Sequence, residues 1–234
     1  MIDLIGIIGA IDNELTYFFK HMIIARTEVI ADKTFYIGKI KHHDVVIVKS
    51  GIGKVNASIT TTILISNFKV KKIINTGVAG GITPAKIKDI IIAKGIAYFD
   101  VSLTEIDDIP YGKMASDPLI VETDVETIEK AKKVFDSLGY DYIVGNLVSG
   151  DKFVTKMRDL SKISKQVPNI VGVEMEGMAI ALTCYKFSIP FISIRGVSDI
   201  IDSKDQSKSF KEAIRDVSKK TASFVIEFLE GLDE

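Results

Sequence analysis

Four acidic residues and one arginine dominate the chemistry available to this chain. Val173-Glu174-Met175-Glu176 ends one apolar run, and Arg195-Gly196-Val197-Ser198-Asp199 ends another. If the first run is extended, side chains alternate faces and Glu174 and Glu176 point the same way. Asp199 falls at the carboxyl end of the second run, where open α/β sheets bind their ligands. Glu174 within an apolar run would be costly to bury alone, and Arg195 is its natural counter-charge. A further acid, Glu14, follows Gly6-Ile7-Ile8-Gly9-Ala10 and equally suits the first turn of a helix, where the macrodipole favours it. Carboxylates in such a group suit glycosidic-bond cleavage, in which one acid protonates the leaving group and one base activates water.

Other chemistries find no residues. His42 and His43 fall in a hairpin-like polar turn, His21 ends a helix, and no His, Cys or acid cluster has metal-ligand spacing. No metal, cofactor or Ser-His-Asp triad is expected. Gly6-Ile7-Ile8-Gly9 has the wrong spacing for a dinucleotide fingerprint. Ser50-Gly51-Ile52-Gly53-Lys54-Val55 resembles half a P-loop, but Val48 stands at the first glycine and Val55 at the hydroxyl position. What remains is a glycine turn into a helix, able to bring backbone close to a ligand. Asn75-Thr76-Gly77-Val78-Ala79-Gly80-Gly81 reads as another glycine-rich turn, so that turns after three strands would together floor a pocket.

The elements that must position these groups alternate as in a largely parallel α/β sheet. Strands are expected at Leu4–Ile8, Val45–Lys49, Lys72–Asn75, Asp89–Ala97, Ile143–Val148, Ile170–Glu174 and Phe191–Val197, most of them rich in Val and Ile. A helix is expected from Val55 to Asn67. Another opens at the capping box Thr123-Asp124-Val125-Glu126 and stops at Gly139. Ser209-Phe210-Lys211-Glu212 reads as the capping box of a final amphipathic helix ending before Gly231. The segment 102–117, polar and carrying Pro110 and Gly112, reads as a long functional or interface loop.

The 234 residues, 47% hydrophobic and 26% charged, suffice for one α/β domain over 1–234 with a full core. Thirty basic against 31 acidic residues leave a net charge of −1, which favours neither nucleic acid nor a membrane surface as partner. Cys184 is the single cysteine and reads as a small core residue. No apolar stretch approaches the roughly 18–20 residues of a membrane span. The amino terminus lacks a signal peptide's basic flank, so a cytoplasmic protein is expected.

Taken together, the ordered motifs resemble those of bacterial 5'-methylthioadenosine/S-adenosylhomocysteine nucleosidases, within the purine and uridine phosphorylase superfamily. The landmarks are Ile7-Ile8-Gly9-Ala10 with Glu14, Lys49 to Val55, Ile74-Asn75-Thr76-Gly77, Val148-Ser149-Gly150-Asp151 with Phe153, Val173 to Glu176, and Ser198-Asp199. The resemblance implies a three-layer α/β fold, a central mixed, mostly parallel sheet flanked by helices. It also implies hydrolysis of adenine nucleosides by a homodimer whose 102–117 loops close each other's sites. By it, Glu14 activates water, Asp199 protonates adenine N7 and Ser198 orients Asp199. Glu176 binds the ribose hydroxyls, with Met175 packed against the sugar. Phe153 stacks on adenine, and the Val154 backbone reads the base's Watson–Crick edge. Glu174 and Arg195 shape the polar wall around the water, and Ile52, Leu103 and Phe210 line the slot for the 5'-thio group.

Phosphorylases of the superfamily hold phosphate with arginines in the loops that here read Gly9 to Glu14 and Asn75 to Val78, neither of which carries one. Water is therefore the expected nucleophile. Departures from the family pattern are Val78 for the usual serine near the ribose, Gly196 for alanine, Ile11 for methionine, and a loop after Asp199 longer by one residue. A hydrolase acting on futalosine would keep most of the same motifs.

Overall fold

The computed structural model describes residues 4–233. Ten strands form one mixed sheet: β1 (Ile5–Gly9), β2 (Met22–Ile30), β3 (Lys33–Ile40), β4 (His43–Lys49), β5 (Lys72–Gly81), β6 (Ile90–Tyr98), β7 (Val121–Glu122), β8 (Ile143–Ser149), β9 (Ile170–Glu174) and β10 (Phe191–Ile200). The helices are α1 (Asp12–Phe19), α2 (Lys54–Ser66), α3 (Val125–Ser137), α4 (Gly177–Phe187) and α5 (Gln206–Glu230). β1 lies parallel between β4 and β5, and β5 lies parallel to β10. β10 then meets β6 antiparallel, and β6, β8 and β9 run parallel to one another. β9 returns to β5 at Gly80 and Gly81, closing β5, β10, β6, β8 and β9 into a ring, while β4, β3 and β2 extend from β1 as a flap.

Burial on both faces explains the Val- and Ile-rich strands. On one side β4, β6, β9 and the helices α2 and α4 share a core containing Val46, Val48, Leu64, Ile91, Leu147 and Ile180. On the other, α1, α3 and α5 cover Ile7, Ile47, Ile74, Ile92 and Ile194 with Phe18, Phe135, Phe224 and Phe228. Such side chains each contribute about 1.5–3 kcal/mol by leaving water. The last helix needs this contact, since its polar face is dense in lysine. Gly231 follows its last turn, as its pattern predicts.

Several boundaries differ from the sequence-based expectation, each for a physical reason. β2 and β3 form a hairpin that the apolar periodicity does not reveal. β2 is an edge strand with Ile23, Arg26 and Val29 exposed, so it lacks a buried alternation. The stretch Thr76–Gly81 is not a turn but the second half of β5. Glycine suits it because neighbouring side chains press close to the backbone there, notably Ile201 against Gly80 and Val197 against Gly81. β10 continues beyond Val197 through Asp199. Asp124, rather than Thr123, caps α3, its carboxylate accepting from Thr127 N–H at 2.8 Å. α5 starts at Gln206, a turn before the expected capping box.

Candidate active site

Three strands converge on one cavity of about 380 Å³. The register aligns Asp199 with Gly80, and Gly80 with Val173, so β10 and β9 bring their acidic ends to opposite edges of β5. The pairing of β10 with β5 slips between Val197 and Asp199. Such a bulge re-aims side chains, which lets the adjacent Ser198 and Asp199 both line the cavity rather than face opposite ways.

Glu14 is fixed from three sides. It lies in the first turn of α1, and its Oε2 accepts from Ala10 N–H at 2.6 Å and Ile11 N–H at 3.2 Å. Its Oε1 accepts from Val78 N–H at 3.0 Å. Gly77 makes this approach possible: with φ of +148°, a side chain there would strike the Glu14 carboxylate and the Arg195 guanidinium. Burial pushes the Glu14 carboxyl above the ordinary range, while Arg195 and the three backbone donors pull the other way.

Arg195 organises the remaining acids from behind the cavity wall. It is 1% exposed and does not line the cavity. Nη2 donates to Glu174 Oε2 at 2.6 Å and to Asn75 Oδ1 at 2.7 Å; Nη1 donates to the Val78 carbonyl at 3.3 Å. The same group lies 4.0 Å from Glu14 and 3.8 Å from Glu176, so one guanidinium serves three carboxylates. Glu174 Oε2 also accepts from the backbone of Glu176 and Gly177, which anchors the start of α4.

Glu174 and Glu176 do not share one face of a strand. β9 ends at Glu174, and Glu176 is the residue at the amino-terminal cap of α4, so the two acids meet through a strand-to-helix turn. Glu176 Oε1 accepts from Gly53 N–H at 2.9 Å, which ties the glycine turn before α2 to the site. Burial first, and then the negative charge of Glu174, push the Glu176 carboxyl up to about 7.

Asp199 occupies a less charged corner. Ser198 Oγ donates to its Oδ1 at 2.6 Å and Gln206 Nε2 to its Oδ2 at 2.8 Å. Burial raises its carboxyl above the ordinary range; those two hydrogen bonds lower it. Phe153 and Phe210 meet edge to face at the mouth, with ring centroids 5.6 Å apart.

The cavity therefore brings together Glu14, Ile52, Val78, Phe153, Val154, Glu174, Met175, Glu176, Ser198, Asp199 and Phe210. Arg195 stands one layer behind them. Leu103, in the loop after β6, does not line this cavity within its own chain. Ala10, Ile11, Ala79, Gly80, Lys152, Val173 and Ile201 complete the wall; Ala79 and Gly80 were legible only as members of the glycine-rich stretch. Gln206 was missed altogether, because a lone glutamine ahead of a helix carries no spacing signal. Among the described residues, no group of three or more His, Cys, Asp or Glu side chains is placed to hold a metal ion, and no helix is long and apolar enough to cross a membrane.

Known proteins share this architecture. The model of the phosphorylase superfamily matches residues 4–230. A 5'-methylthioadenosine/S-adenosylhomocysteine nucleosidase of Staphylococcus epidermidis is 39% identical over 230 residues, covering 97% of this chain and 100% of the relative. The crystal structure of an S-adenosylhomocysteine nucleosidase from Streptococcus pyogenes, in complex with 5-methylthiotubericidin, superposes with a TM-score of 0.93 at 33% identity, covering 99% of this chain and 98% of that one. A futalosine hydrolase structure from Helicobacter pylori gives a TM-score of 0.93 at 27% identity over 99% of each chain. With the family model, the fold and similarity along the whole chain in agreement, this chain belongs to the 5'-methylthioadenosine/S-adenosylhomocysteine nucleosidase family of the phosphorylase superfamily.

Proposed function

We propose that the protein hydrolyses the N-glycosidic bond of 5'-methylthioadenosine and S-adenosylhomocysteine, releasing adenine and the 5-thioribose product. The observation that carries this reading is the pairing of two unlike acidic corners across one cavity. Glu14 lies beside a cation and three N–H donors, which favour its ionised form; Asp199 is buried with neutral neighbours only. Burial raises both carboxyls, and they differ in their partners, a cation and three backbone donors against neutral side chains alone; on that difference the base is assigned to Glu14 and the acid to Asp199.

In the reaction, Glu14 takes a proton from water as its oxygen approaches the anomeric carbon. Asp199 gives a proton to N7 as the bond to the base breaks. Glu176 accepts hydrogen bonds from the ribose hydroxyls while Gly53 N–H holds its other oxygen. Phe153 stacks on the base, the Val154 backbone meets its amino edge, and Met175 packs on the sugar. Ser198 orients Asp199, and Glu174 with Arg195 keeps the water side in register. The 5'-thio group lies between Ile52 and Phe210. Phe210→Ala should raise KM for methylthioadenosine roughly two- to tenfold with little change in kcat, as steady-state kinetics would register, since one aromatic edge contact contributes about 0.5–1.5 kcal/mol.

Water rather than phosphate is the nucleophile in this reading. Glu14, Glu174 and Glu176 face the cavity, and the lysine on its wall, Lys152, is already paired with Asp159 at 2.7 Å. A phosphate dianion would meet like charge there. Adenine release from methylthioadenosine, followed by chromatography, should proceed in phosphate-free buffer and yield free methylthioribose. A strict requirement for phosphate, with a sugar 1-phosphate as product, would instead place the protein among the phosphorylases.

Pairing of two copies is part of the proposal. Val55 and Ile59 on α2, Tyr185 and Phe187 near the end of α4, and Ile106 and Met114 in the 102–117 loop are exposed apolar residues. Val55, Met114 and Lys54 line one groove close to the mouth. A second subunit on this face would cover them, and its own Leu103 would complete the 5' slot.

A further inference from the structure

Gln206 makes contacts that neither the fold nor the reaction above accounts for. It is the first residue of α5, yet its side chain is 4% exposed. Nε2 donates one hydrogen bond to the Val154 carbonyl and one to Asp199 Oδ2, each at 2.8 Å. The other end of the same amide, Oε1, is buried with no partner. A glutamine kept only to hold the helix would leave no buried oxygen unpaired, because that costs about 1–3 kcal/mol. Asp205, the residue ahead of it, supplies no side-chain cap either. The first turn of α5 is thus held by the site and not by its own capping.

The two acceptors identify what the amide imitates. Adenine presents on one edge an N7 acceptor beside a 6-amino donor. A carboxyl that reaches N7 is within reach of one amino hydrogen, and the second hydrogen points to the Watson–Crick side. In the proposed function Asp199 meets N7, beside the amino group, and the Val154 backbone meets the amino edge; these are the same two groups that the Gln206 –NH2 now satisfies.

We propose that Gln206 is an internal stand-in for the 6-amino group, occupying Asp199 and Val154 until an incoming adenine ring displaces it. The exchange is close to even in hydrogen bonds, since two N–H donors replace two. It frees the stranded Oε1 to reach water, and burial of the ring then favours the bound state. Phe210 lies four residues further along α5, on the same helix face. Displacing Gln206 therefore moves the turn that also carries the wall of the 5' slot. In the empty site Asp199 accepts from both Ser198 and Gln206, an arrangement suited to the carboxylate and not to a proton donor. The acid becomes free to donate only where a base has taken the amide's place.

This inference rests on the nucleosidase reading, and one experiment separates the two. Adenine is titrated calorimetrically into the wild-type protein, Gln206→Ala and Gln206→Leu, and methylthioadenosine kinetics are measured on each. Loss of an internal competitor worth two hydrogen bonds should lower the adenine Kd about tenfold in Gln206→Ala. KM should fall with it and kcat should stay unchanged. Gln206→Leu fills the same space without a donor and should also bind adenine more tightly, which keeps the test intact if the alanine variant folds poorly. Wild-type binding of adenine with unchanged or weaker binding in both variants would overturn the stand-in and leave the nucleosidase reading in place. So would a higher KM with a lower kcat, the signature of a mere buttress for Asp199. Failure of adenine to bind any of the three proteins would overturn the nucleosidase reading and this inference with it.

Discussion

Asp199→Asn is expected to slow adenine release from methylthioadenosine about a thousandfold, in the range typical for loss of a general acid. The side chain keeps its size, and its amide can still donate a hydrogen bond to N7, so adenine affinity should change far less than rate. What it loses is a transferable proton. In the wild-type protein the acid must be protonated to act, so kcat/KM falls as pH rises through its pKa. Burial among neutral neighbours lifts that pKa above the usual carboxylate range. The falling limb at higher pH should disappear in the asparagine variant. Single-turnover chromatography with a parallel pH series measures both. A variant retaining near-normal turnover would remove Asp199 from the chemistry.

Glu14→Gln should be as damaging to rate, again about a thousandfold, because an amide cannot take a proton from water. The direction of its pH dependence is opposite. Glu14 must be ionised, so activity is lost as pH falls through its pKa, which burial also raises. The variant carries a second consequence that Asp199→Asn lacks. All three neighbours of the Glu14 carboxylate, at Ala10, Ile11 and Val78, are N–H donors. A glutamine turns one of its two ends into a donor as well, leaving at least one buried N–H without a partner at a cost of about 1–3 kcal/mol. Thermal denaturation should register that loss beside the kinetic one. If Glu14 served only as a first-turn acid favoured by the helix dipole, turnover would survive the substitution.

The parts of this molecule legible in its sequence are those where burial and pattern coincide. β9 is legible because a short Val-rich run is fenced by Asn169 and by the turn into α4. Glu174 and Arg195 stand out because charges inside apolar runs demand partners, and the two are each other's partner. The β2–β3 hairpin was not legible. Its turn uses Ala31 and Asp32, both at positive φ, where a hairpin of this kind ordinarily announces itself with Asn-Gly or Asp-Gly. The strand ends at Thr76–Gly81 and Ser198–Ile200 were hidden because glycine and polar residues signal a turn unless neighbouring backbone already fixes them extended. The start of α5 is not legible because Gln206 answers to Asp199 and Val154, groups distant in the chain, and not to its local sequence.

The ring closed by β5 gives the two halves of the site different freedom to change over evolutionary time. Glu14, Val78, Arg195 and Glu174 are locked to strands that pair on both sides, and Gly77 leaves no room there for even one added carbon. Phe153–Val154 in the loop after β8, and Gln206–Phe210 in the first turns of α5, lie outside the ring. In the proposed function these two segments face the base and the 5' group, so substitutions there would alter which base and which tail are accepted while hydrolysis stays untouched, and new substrate ranges would arise without passing through an inactive intermediate.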